Sequence, residues 1–341
     1  MMKSADYWNK RSEQIANRQF KKADSLNERL EKEYRKAYKS IQKDIDAFYG
    51  RFASNNEVTM LEAKKILNKG ELKEFKLTVE EFTKLAKGNE SGAWTKELNN
   101  VYYRTRITRY EALQVQIQQQ IEMLKAQEHQ ELTTLISDTY TDTYYRTLFE
   151  IQKGVGFGAS FARVDTRAVE TVITKKWAGS DYSSRIWDDR TKLLRELETN
   201  LTQSFIRGDS LDKVTKTVQD RMNVSKSNAQ RLVRTESAHI MGEATYKGYR
   251  ESGVVKQYQF LATLDSRTSQ VCQSMDNRVF NLSDKQIGVN YPPLHANCRS
   301  TTVAYFGDEE PSERIARGKD GKTYNVPSDM NYEEWYQKYI A

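Results

Sequence analysis

The sequence predicts a mainly α-helical protein, and two observations support this fold class. All four prolines lie in the last fifty residues of the 341-residue chain, at Pro292, Pro293, Pro311 and Pro327. Since proline is poorly tolerated inside an α-helix, the 291 residues before them can form one helix after another. Only 38% of the residues are hydrophobic, so we expect thin cores between helices, and an elongated molecule, rather than one deep core.

The first predicted helix has a regular apolar face. Its apolar residues recur at intervals of three and four positions, at Leu26, Leu30, Tyr34, Ala37, Ile41, Ile45 and Phe48. This spacing is typical of one face of an amphipathic helix, and Gly50 is the predicted end of the helix. Two short helices should follow, because residues 59–62 and 78–81 match the capping-box pattern.

A long helix is predicted from about residue 96 into the 140s. Its buried stripe consists of Ile107, Tyr110, Ile117, Ile121 and Leu124. Three alternating glycines between residues 152 and 160 then interrupt the helical pattern. Glycine is unfavourable in a helix interior, so this segment is a predicted domain boundary.

Further helices are predicted beyond this boundary. One reaches Trp177 from a cap at Asp165 or Thr166, and another covers residues 183–207. Ser225 is the predicted cap of the last of them, which ends near residue 253. Strand-like sequence appears only after it, at residues 254–264 and 278–282.

We therefore predict three parts. Residues 1–152 form a helical N-terminal arm, and residues 160–306 form a helical domain with a small strand-containing Cys/His knuckle. Residues 307–341 form a tail that ends in a short helix, whose aromatic side chains share one face: Tyr332, Trp335, Tyr336 and Tyr339. Packing of this face on its own domain is the favoured interpretation, and docking on a partner is the alternative.

Composition and charge exclude several classes of protein. No run of about 18 apolar residues is present, so no membrane span is expected. The first residues lack the apolar core of a signal peptide, and two cysteines are too few for a disulfide-stapled secreted scaffold. Synthesis in the cytoplasm is the expectation. The net charge of +7 is compatible with a polyanionic partner.

The most specific local pattern combines thiols and an imidazole. Cys272 precedes a His-x-x-Cys step formed by His295 and Cys298, and these are zinc-ligand types. A closed structural site needs four ligands, and Asp265 is the candidate for the fourth because Ser269 occupies the position three before Cys272. A zinc site, a metal-free knuckle, a disulfide, and a Cys272–His295 nucleophile and base all remain open from the residues alone.

Two other constellations are candidates for chemistry. Arg104, Arg106 and Arg109 alternate with aromatic residues, which is compatible with DNA contact through phosphates or with an ordinary solvated helix. Glu236 and His239 form a single Glu-x-x-His step, whereas a di-iron bundle needs two such steps and two further carboxylates. A helix face with a hydrogen-bonded histidine is the better interpretation. No nucleotide-binding glycine loop is present, so no small-molecule substrate is expected.

An ordered series of short motifs runs through residues 160–340. Its residues are Trp177, Arg185, Trp187, Arg234, Glu236, Asp265, Arg267, Asn297 and Arg299. In this order the motifs resemble the tailed-phage minor head protein family, also called head-morphogenesis proteins, which includes the F protein of phage Mu. Many relatives carry a Cys-x-x-Cys before the His-x-x-Cys, and Ser269 departs from that pattern here.

The resemblance implies a virion protein rather than an enzyme. It implies synthesis in the host cytoplasm and a place in the head interior or near the portal. The implied partners are the portal protein and the inner capsid, and the implied roles are head assembly and DNA packaging or ejection. The resemblance implies no catalytic residue. From the Cys/His residues themselves, either no cofactor or zinc is expected. Sequence-independent binding of double-stranded DNA is the alternative function, suggested by the positive charge.

Overall fold

The computed structural model describes residues 3–56, 109–156, 163–207, 209–307, 313–317, 323–327 and 330–339. Within these residues it contains seven α-helices: α1 Ala5–Asn56, α2 Arg109–Val155, α3 Thr166–Ile173, α4 Tyr182–Arg207, α5 Leu211–Ser252, α6 Gln270–Met275 and α7 Tyr332–Tyr339. The strands are β1 Gln257–Leu261, β2 Val279–Asn281, β3 Thr301–Tyr305, β4 Glu313–Arg317 and β5 Thr323–Pro327. The predicted mainly α fold with a small sheet near the Cys/His residues is confirmed.

Helix α1 buries the predicted apolar face. All seven residues of the stripe from Leu26 to Phe48 are buried, five of them at 0–2% exposure. The predicted end at Gly50 is wrong, because α1 continues to Asn56. A single glycine costs only about 1 kcal/mol within a helix, which the packing of a long amphipathic face outweighs.

Helix α2 carries the described part of the second predicted stripe. Ile117, Ile121 and Leu124 are buried, and α2 ends at Val155. Gly156 follows in the left-handed region at φ 81°, where glycine is the favoured residue, so the chain turns within the predicted boundary segment. The stripe position Ile107 and the two capping boxes lie outside the described residues.

Two helix ends differ from those predicted. Asp165 caps α3 as expected, and its Oδ1 accepts a hydrogen bond from the Ala168 backbone N–H at 2.6 Å. However, α3 ends at Ile173 and not at Trp177. Ser225 is not a helix cap, because α5 runs without interruption from Leu211 to Ser252. The Ser225 hydroxyl instead donates to Asp189 Oδ2 of helix α4 at 2.5 Å.

The chain forms two compact units that each draw on distant segments. The first unit comprises Met1–Glu28, Gln130–Arg185 and Ala229–Ala341, and the second comprises Arg29–His129 and Ile186–Asn228. The first therefore contains the Cys/His knuckle and the sheet. The second consists of helical segments within its described residues.

A buried polar network links the helices of the second unit. The Lys125 Nζ lies 2.8 Å from Glu128 Oε2 and 2.9 Å from Asp189 Oδ2, and it donates to the Tyr34 hydroxyl at 2.5 Å. Lys125 is fully buried. Burial lowers the pKa of Lys125, but the neighbouring Tyr34, Glu128 and Asp189 outweigh it and raise that pKa above the ordinary value. Lys125 therefore carries its charge in the folded protein. We name Tyr34, Lys125, Glu128, Asp189 and Ser225 the Lys125 network.

The sheet of the first unit is antiparallel, in the order β2-β1-β3. Tyr258 in β1 pairs with Phe280 of β2 and Ala304 of β3. The predicted strand segments 254–264 and 278–282 are thereby confirmed. On one side the sheet contributes to a core around Trp8, Ile151 and Tyr249, so the strands pack against residues of α1, α2 and α5 within the first unit.

Helix α7 packs on its own unit. Tyr332 and Trp335 are buried in a core with Leu264, Ala316 and Val326. The Tyr332 hydroxyl donates to the Asp265 carbonyl at 2.9 Å, which fixes the start of α7. Tyr336 and Tyr339 on the same helix remain 42% exposed. Among the described residues, no helix combines the length and apolar character needed to cross a membrane.

Candidate functional site

The Cys/His knuckle brings together two segments that are 20 residues apart in sequence. Cys272 lies on α6, whose N-terminus is capped by the Ser269 hydroxyl. His295 and Cys298 lie in the loop between Tyr291 and β3. The buried Tyr291 anchors this loop, because its hydroxyl donates to the Gly242 carbonyl of α5 at 2.9 Å.

The predicted thiol and imidazole ligands lie side by side. The Sγ atoms of Cys272 and Cys298 are 3.7 Å apart, and Cys272 Sγ is 3.2 Å from His295 Nε2. All three ligand atoms lie within 4.8 Å of one another. Both cysteines are buried and free, so the predicted alternative of a disulfide is absent. We call Cys272, His295 and Cys298 the thiol–imidazole cluster.

Hydrogen bonding distributes charge unequally in this cluster. The hydrogen bond from Cys272 lowers the pKa of Cys298 to about 4, and it raises the pKa of Cys272 above its ordinary value. The Cys298 side chain in turn raises the pKa of His295. Cys298 is therefore the thiolate of the pair, and Cys272 is the thiol that donates to it.

Asp265 does not belong to the thiol–imidazole cluster. Its Oδ1 accepts from Arg299 Nη2 at 2.7 Å and from the Arg267 backbone N–H at 2.9 Å, and its Oδ2 pairs with Arg299 Nη1. Burial raises the pKa of Asp265, but these contacts outweigh it and hold the pKa below its ordinary value. Its predicted role as a fourth metal ligand is therefore not what the geometry provides. Instead, a two-point ion pair holds the chain next to Cys298.

The motif residues Trp177, Arg185 and Glu236 meet in a second cluster. The carboxylate of Glu236 pairs with Arg185 Nη1 and accepts from Trp177 Nε1 at 2.9 Å. Arg185 Nη2 also donates to the carbonyls of Trp177 at 2.6 Å and Ser180 at 3.1 Å. The turn after α3 is thereby fastened to α5. The Trp177 ring stacks on His239, with ring centroids 4.2 Å apart. We name Trp177, Arg185, Glu236 and His239 the Trp177 cluster.

The Trp177 cluster contains no reactive group directed at solvent. Glu236 is only 1% exposed and His239 only 4%. The predicted hydrogen bond of His239 is replaced by the stack on Trp177, and its Nδ1 has no partner among the described residues. Burial raises the pKa of Glu236 even though Trp177 and Arg185 lower it. Glu236 and His239 are therefore both buried side chains of the core, and the predicted hydrogen bond at His239 Nδ1 is not formed within the described residues.

Replacing His239 by phenylalanine should change the pH dependence of stability. Burial, helped by Lys285 and Arg185, lowers the pKa of His239 from 6.5 to about 3. Below pH 6.5 the unfolded chain therefore binds a proton that the folded chain does not, and the free energy of unfolding falls with decreasing pH. One such group contributes a slope of up to about 1.4 kcal/mol per pH unit. Urea unfolding from pH 7 to pH 4 measures it.

The wild type and His239→Phe should diverge in this experiment. Phenylalanine retains the stack on Trp177 but cannot be protonated, so the variant should lose less stability on acidification. Parallel curves for the two proteins would show that His239 is not kept neutral by the fold.

The remaining predicted residues lie apart from these clusters. Arg234 pairs with Asp24 at 3.2 Å, and both side chains are about half exposed. Asn297 adopts φ 61°, and its backbone N–H donates to Thr235 Oγ1 at 3.1 Å. Trp187 packs near His129, with ring centroids 6.2 Å apart. Arg104 and Arg106 lie outside the described residues, and of Arg109 only its place at the start of α2 is described.

Sequence reasoning missed two groups of residues. Ser269 is not among the predicted site residues, yet its Oγ lies 2.7 Å from His295 Nε2; its position three residues before Cys272 was the available signal. No pattern in the sequence indicated the Lys125 network. Nothing distinguishes Lys125 from the other 53 lysines and arginines until its helix is packed.

Comparison with known proteins gives a consistent family. Residues 195–303 match the family described as Phage Mu protein F like protein. The chain is 28% identical over 221 residues to the minor head protein GP7 of Bacillus phage SPP1, which covers 60% of this chain and 70% of that protein. No solved structure gives a match.

Two other relatives match over a smaller share of their own length. The chain is 22% identical over 208 residues to the NAD(+)--arginine ADP-ribosyltransferase EFV of Enterococcus faecalis, covering 57% of this chain and 42% of that protein. An uncharacterized protein of Haemophilus influenzae is 21% identical over 121 residues, or 36% of this chain and 27% of its own length. The chain thus spans less than half the length of these two relatives. Because one of them bears an enzyme's name, the prediction that this chain is not an enzyme stays a prediction.

The similarities support a structural role in the phage head and a place in the virion. The family match over residues 195–303 contains the motif residues from Arg234 to Arg299, and the structure places these within one compact unit. Residues 195–303 are therefore similar to the Mu F-like proteins, and the chain is similar over 60% of its length to a phage minor head protein.

Proposed function

We propose that this protein is a minor component of the phage head that binds the portal protein or the inner capsid surface and assists head assembly. The observation that carries the proposal is the similarity to a minor head protein over 60% of the chain. Synthesis in the host cytoplasm, a position in the head interior near the portal, and assistance to DNA packaging or ejection complete the proposal.

The contacts of the motif residues support a binding role over a catalytic one. The Glu236 carboxylate forms an ion pair with Arg185 and accepts a hydrogen bond from Trp177. The Asp265 carboxylate forms an ion pair with Arg299. A catalytic set would present an acid, base or nucleophile to a substrate. Here the motif side chains pair with one another and fasten loops to α5, so they build a rigid surface for a partner.

Quantitative mass spectrometry of procapsids and mature virions tests the proposed role. A few copies per particle, in constant ratio to the portal protein, are expected. Absence from both particles would contradict the proposal. Purified protein mixed at micromolar concentration with its cognate portal, at low salt, should also form a complex that gel filtration resolves.

Exposed apolar residues on α2 are suitable positions for a docking variant. Met123 and Phe149 are each 59% exposed, and apolar side chains in contact with a partner often contribute more than 1 kcal/mol each. Met123→Glu or Phe149→Glu should weaken the portal complex about tenfold if its α2 surface is used. Gln130→Glu, an exposed change on the same helix, is the matched control. If all three variants bound the portal with the same affinity, these α2 residues would not be part of the docking surface.

Sequence-independent binding to double-stranded DNA is the second candidate function. The net charge of +7 and the arginines at 104, 106 and 109 favour it. Binding by phosphate contacts should weaken steeply with salt. The triple Arg104→Ala, Arg106→Ala, Arg109→Ala variant should reduce both affinity and salt slope. A second triple variant of exposed α1 residues, Arg35→Ala, Lys36→Ala, Lys39→Ala, removes equal charge as a control. Salt-independent or absent binding would contradict this function.

The absence of enzyme activity can be tested directly. One relative is named as an ADP-ribosyltransferase that uses NAD(+) and arginine. We expect no transfer of label from NAD(+) to an arginine substrate by the purified chain. Transfer above background would contradict the non-enzymatic role.

A further inference from the structure

We propose that the thiol–imidazole cluster binds a single zinc ion through Cys272 Sγ, His295 Nε2 and Cys298 Sγ, with Ser269 at the fourth coordination position. Two thiols and an imidazole that converge within 4.8 Å are the ligand set that zinc prefers in proteins. This site is separate from the proposed docking function.

The sulfur spacing fits a tetrahedral ion. With Zn–S bonds of about 2.3 Å and a tetrahedral angle, two thiolates on one zinc ion lie about 3.8 Å apart. The Sγ atoms of Cys272 and Cys298 are 3.7 Å apart. A disulfide would require about 2.05 Å. The distance between the two sulfurs therefore matches that of two thiolates bound to the same zinc ion.

The imidazole is oriented for coordination. His295 Nδ1 lies 2.8 Å from the Ala296 carbonyl, and a carbonyl can only accept, so Nδ1 carries the proton. Nε2 then presents its lone pair towards Cys272 at 3.2 Å and Ser269 at 2.7 Å. Donation of the second ring N–H to a carbonyl is the usual arrangement of a metal-binding histidine.

The protein frame around the cluster is already fixed. Ser269 caps α6 and so positions Cys272. The Asp265–Arg299 ion pair and the Asn297–Thr235 hydrogen bond hold the other segment on both sides of Cys298. Both cysteines are at most 2% exposed, whereas His295 is partly exposed and leaves a path for the ion.

A zinc ion here would cross-link α6 to the loop before β3. Within the first unit, this loop also contacts α5 through Tyr291 and Asn297. Because His295 and Cys298 lie 23 and 26 residues after Cys272, metal binding would stabilise the folded knuckle over the unfolded chain. The fourth ligand, the Ser269 hydroxyl, is weaker than a thiolate or an imidazole, so the other three ligands set most of the affinity.

Metal analysis of the full chain, purified under reducing conditions, tests the site. We expect one zinc ion per chain that survives dialysis, and a lower melting temperature after chelation. Cobalt(II) added to the metal-free protein should give the thiolate charge-transfer band and the intense visible bands of tetrahedral coordination. Changes to groups that only orient a ligand cost about 10- to 100-fold in affinity. Cys298→Ser and His295→Ala should therefore weaken binding at least about tenfold.

Matched variants make the outcome specific. His129→Ala removes a histidine of the second unit and should leave metal content and spectrum unchanged. Ser269→Cys should tighten binding and strengthen the charge-transfer band, because it adds a third thiolate. A folded, reduced chain that retains no zinc and gives no tetrahedral cobalt spectrum would overturn the proposal. Binding that is unaffected by Cys298→Ser and His295→Ala would overturn it as well.

Discussion

Replacing Lys125 by alanine is expected to destabilise the protein by about 3–5 kcal/mol. The change leaves Glu128, which is 1% exposed, and the mostly buried Asp189 without their cation. Two uncompensated carboxylates in a low-dielectric interior repel each other and lose the attraction that offset their desolvation. Urea unfolding followed by circular dichroism measures the loss.

The surface variant Lys36→Ala is the control for this experiment. Lys36 also pairs with a glutamate, Glu33, at 2.6 Å, but its side chain is 72% exposed. An exposed ion pair contributes about 0–1 kcal/mol, so the control should remain close to the wild type. If Lys125→Ala lowered the free energy of unfolding as little as Lys36→Ala, we would conclude that water reaches the Lys125 network and solvates its carboxylates.

The Lys125 network should also contribute to acid sensitivity. Burial raises the pKa of Asp189, but Lys125 and its other partners outweigh this effect and lower that pKa below its usual value of 3.8. A depressed pKa gives stability that is present above the unfolded-state pKa and is lost as the pH falls through the folded-state value. The wild type should therefore lose this contribution below about pH 4, whereas Asp189→Asn should not.

Replacing Arg185 by alanine is the second change with a large expected effect. Glu236 would keep only the Trp177 Nε1 donor, and the carbonyls of Trp177 and Ser180 would lose a charged donor. We expect a loss of about 3–5 kcal/mol at neutral pH. We also expect increased proteolysis in the turn at residues 174–181, since Arg185 fastens this turn to α5.

A double-mutant cycle separates the ion pair from general packing effects. Glu236→Gln removes the buried charge, so Arg185→Ala should cost less in that background than in the wild type. Arg195→Ala, an exposed arginine farther along α4, is the control and should change stability by less than about 0.5 kcal/mol. Additive effects of the Arg185 and Glu236 changes would contradict the proposed ion pair.

Local patterns predicted the elements that depend on near neighbours in sequence. The three-and-four spacing from Leu26 to Phe48 identified the buried face of α1, because a helix repeats every 3.6 residues whatever it packs against. Side-chain type alone limited the cap of α3 to Asp165 or Thr166, and the structure shows that it is Asp165. The residue types of Cys272, His295 and Cys298 made a shared site one of several open alternatives, and only the structure shows that they converge.

Predictions that depended on distant partners were less successful. Ser225 has the residue type of a helix cap, but Asp189 of another helix accepts its hydroxyl proton and α5 continues past it. Asp265 is a carboxylate close to Cys272 in sequence, but Arg299 competes for it and keeps it out of the thiol–imidazole cluster. In both cases the competing partner lies more than 30 residues away.

The sequence by itself determined the helical class, the face that α1 buries, the segments of β1 and β2, and a motif order that resembles phage minor head proteins. The tertiary structure alone decided how distant segments combine into two compact units, and which cation neutralises each buried carboxylate. The physical reason is the range of the interactions. Helix periodicity and capping act within a few residues, whereas the desolvation of Lys125 or Glu236 depends on every segment that surrounds it.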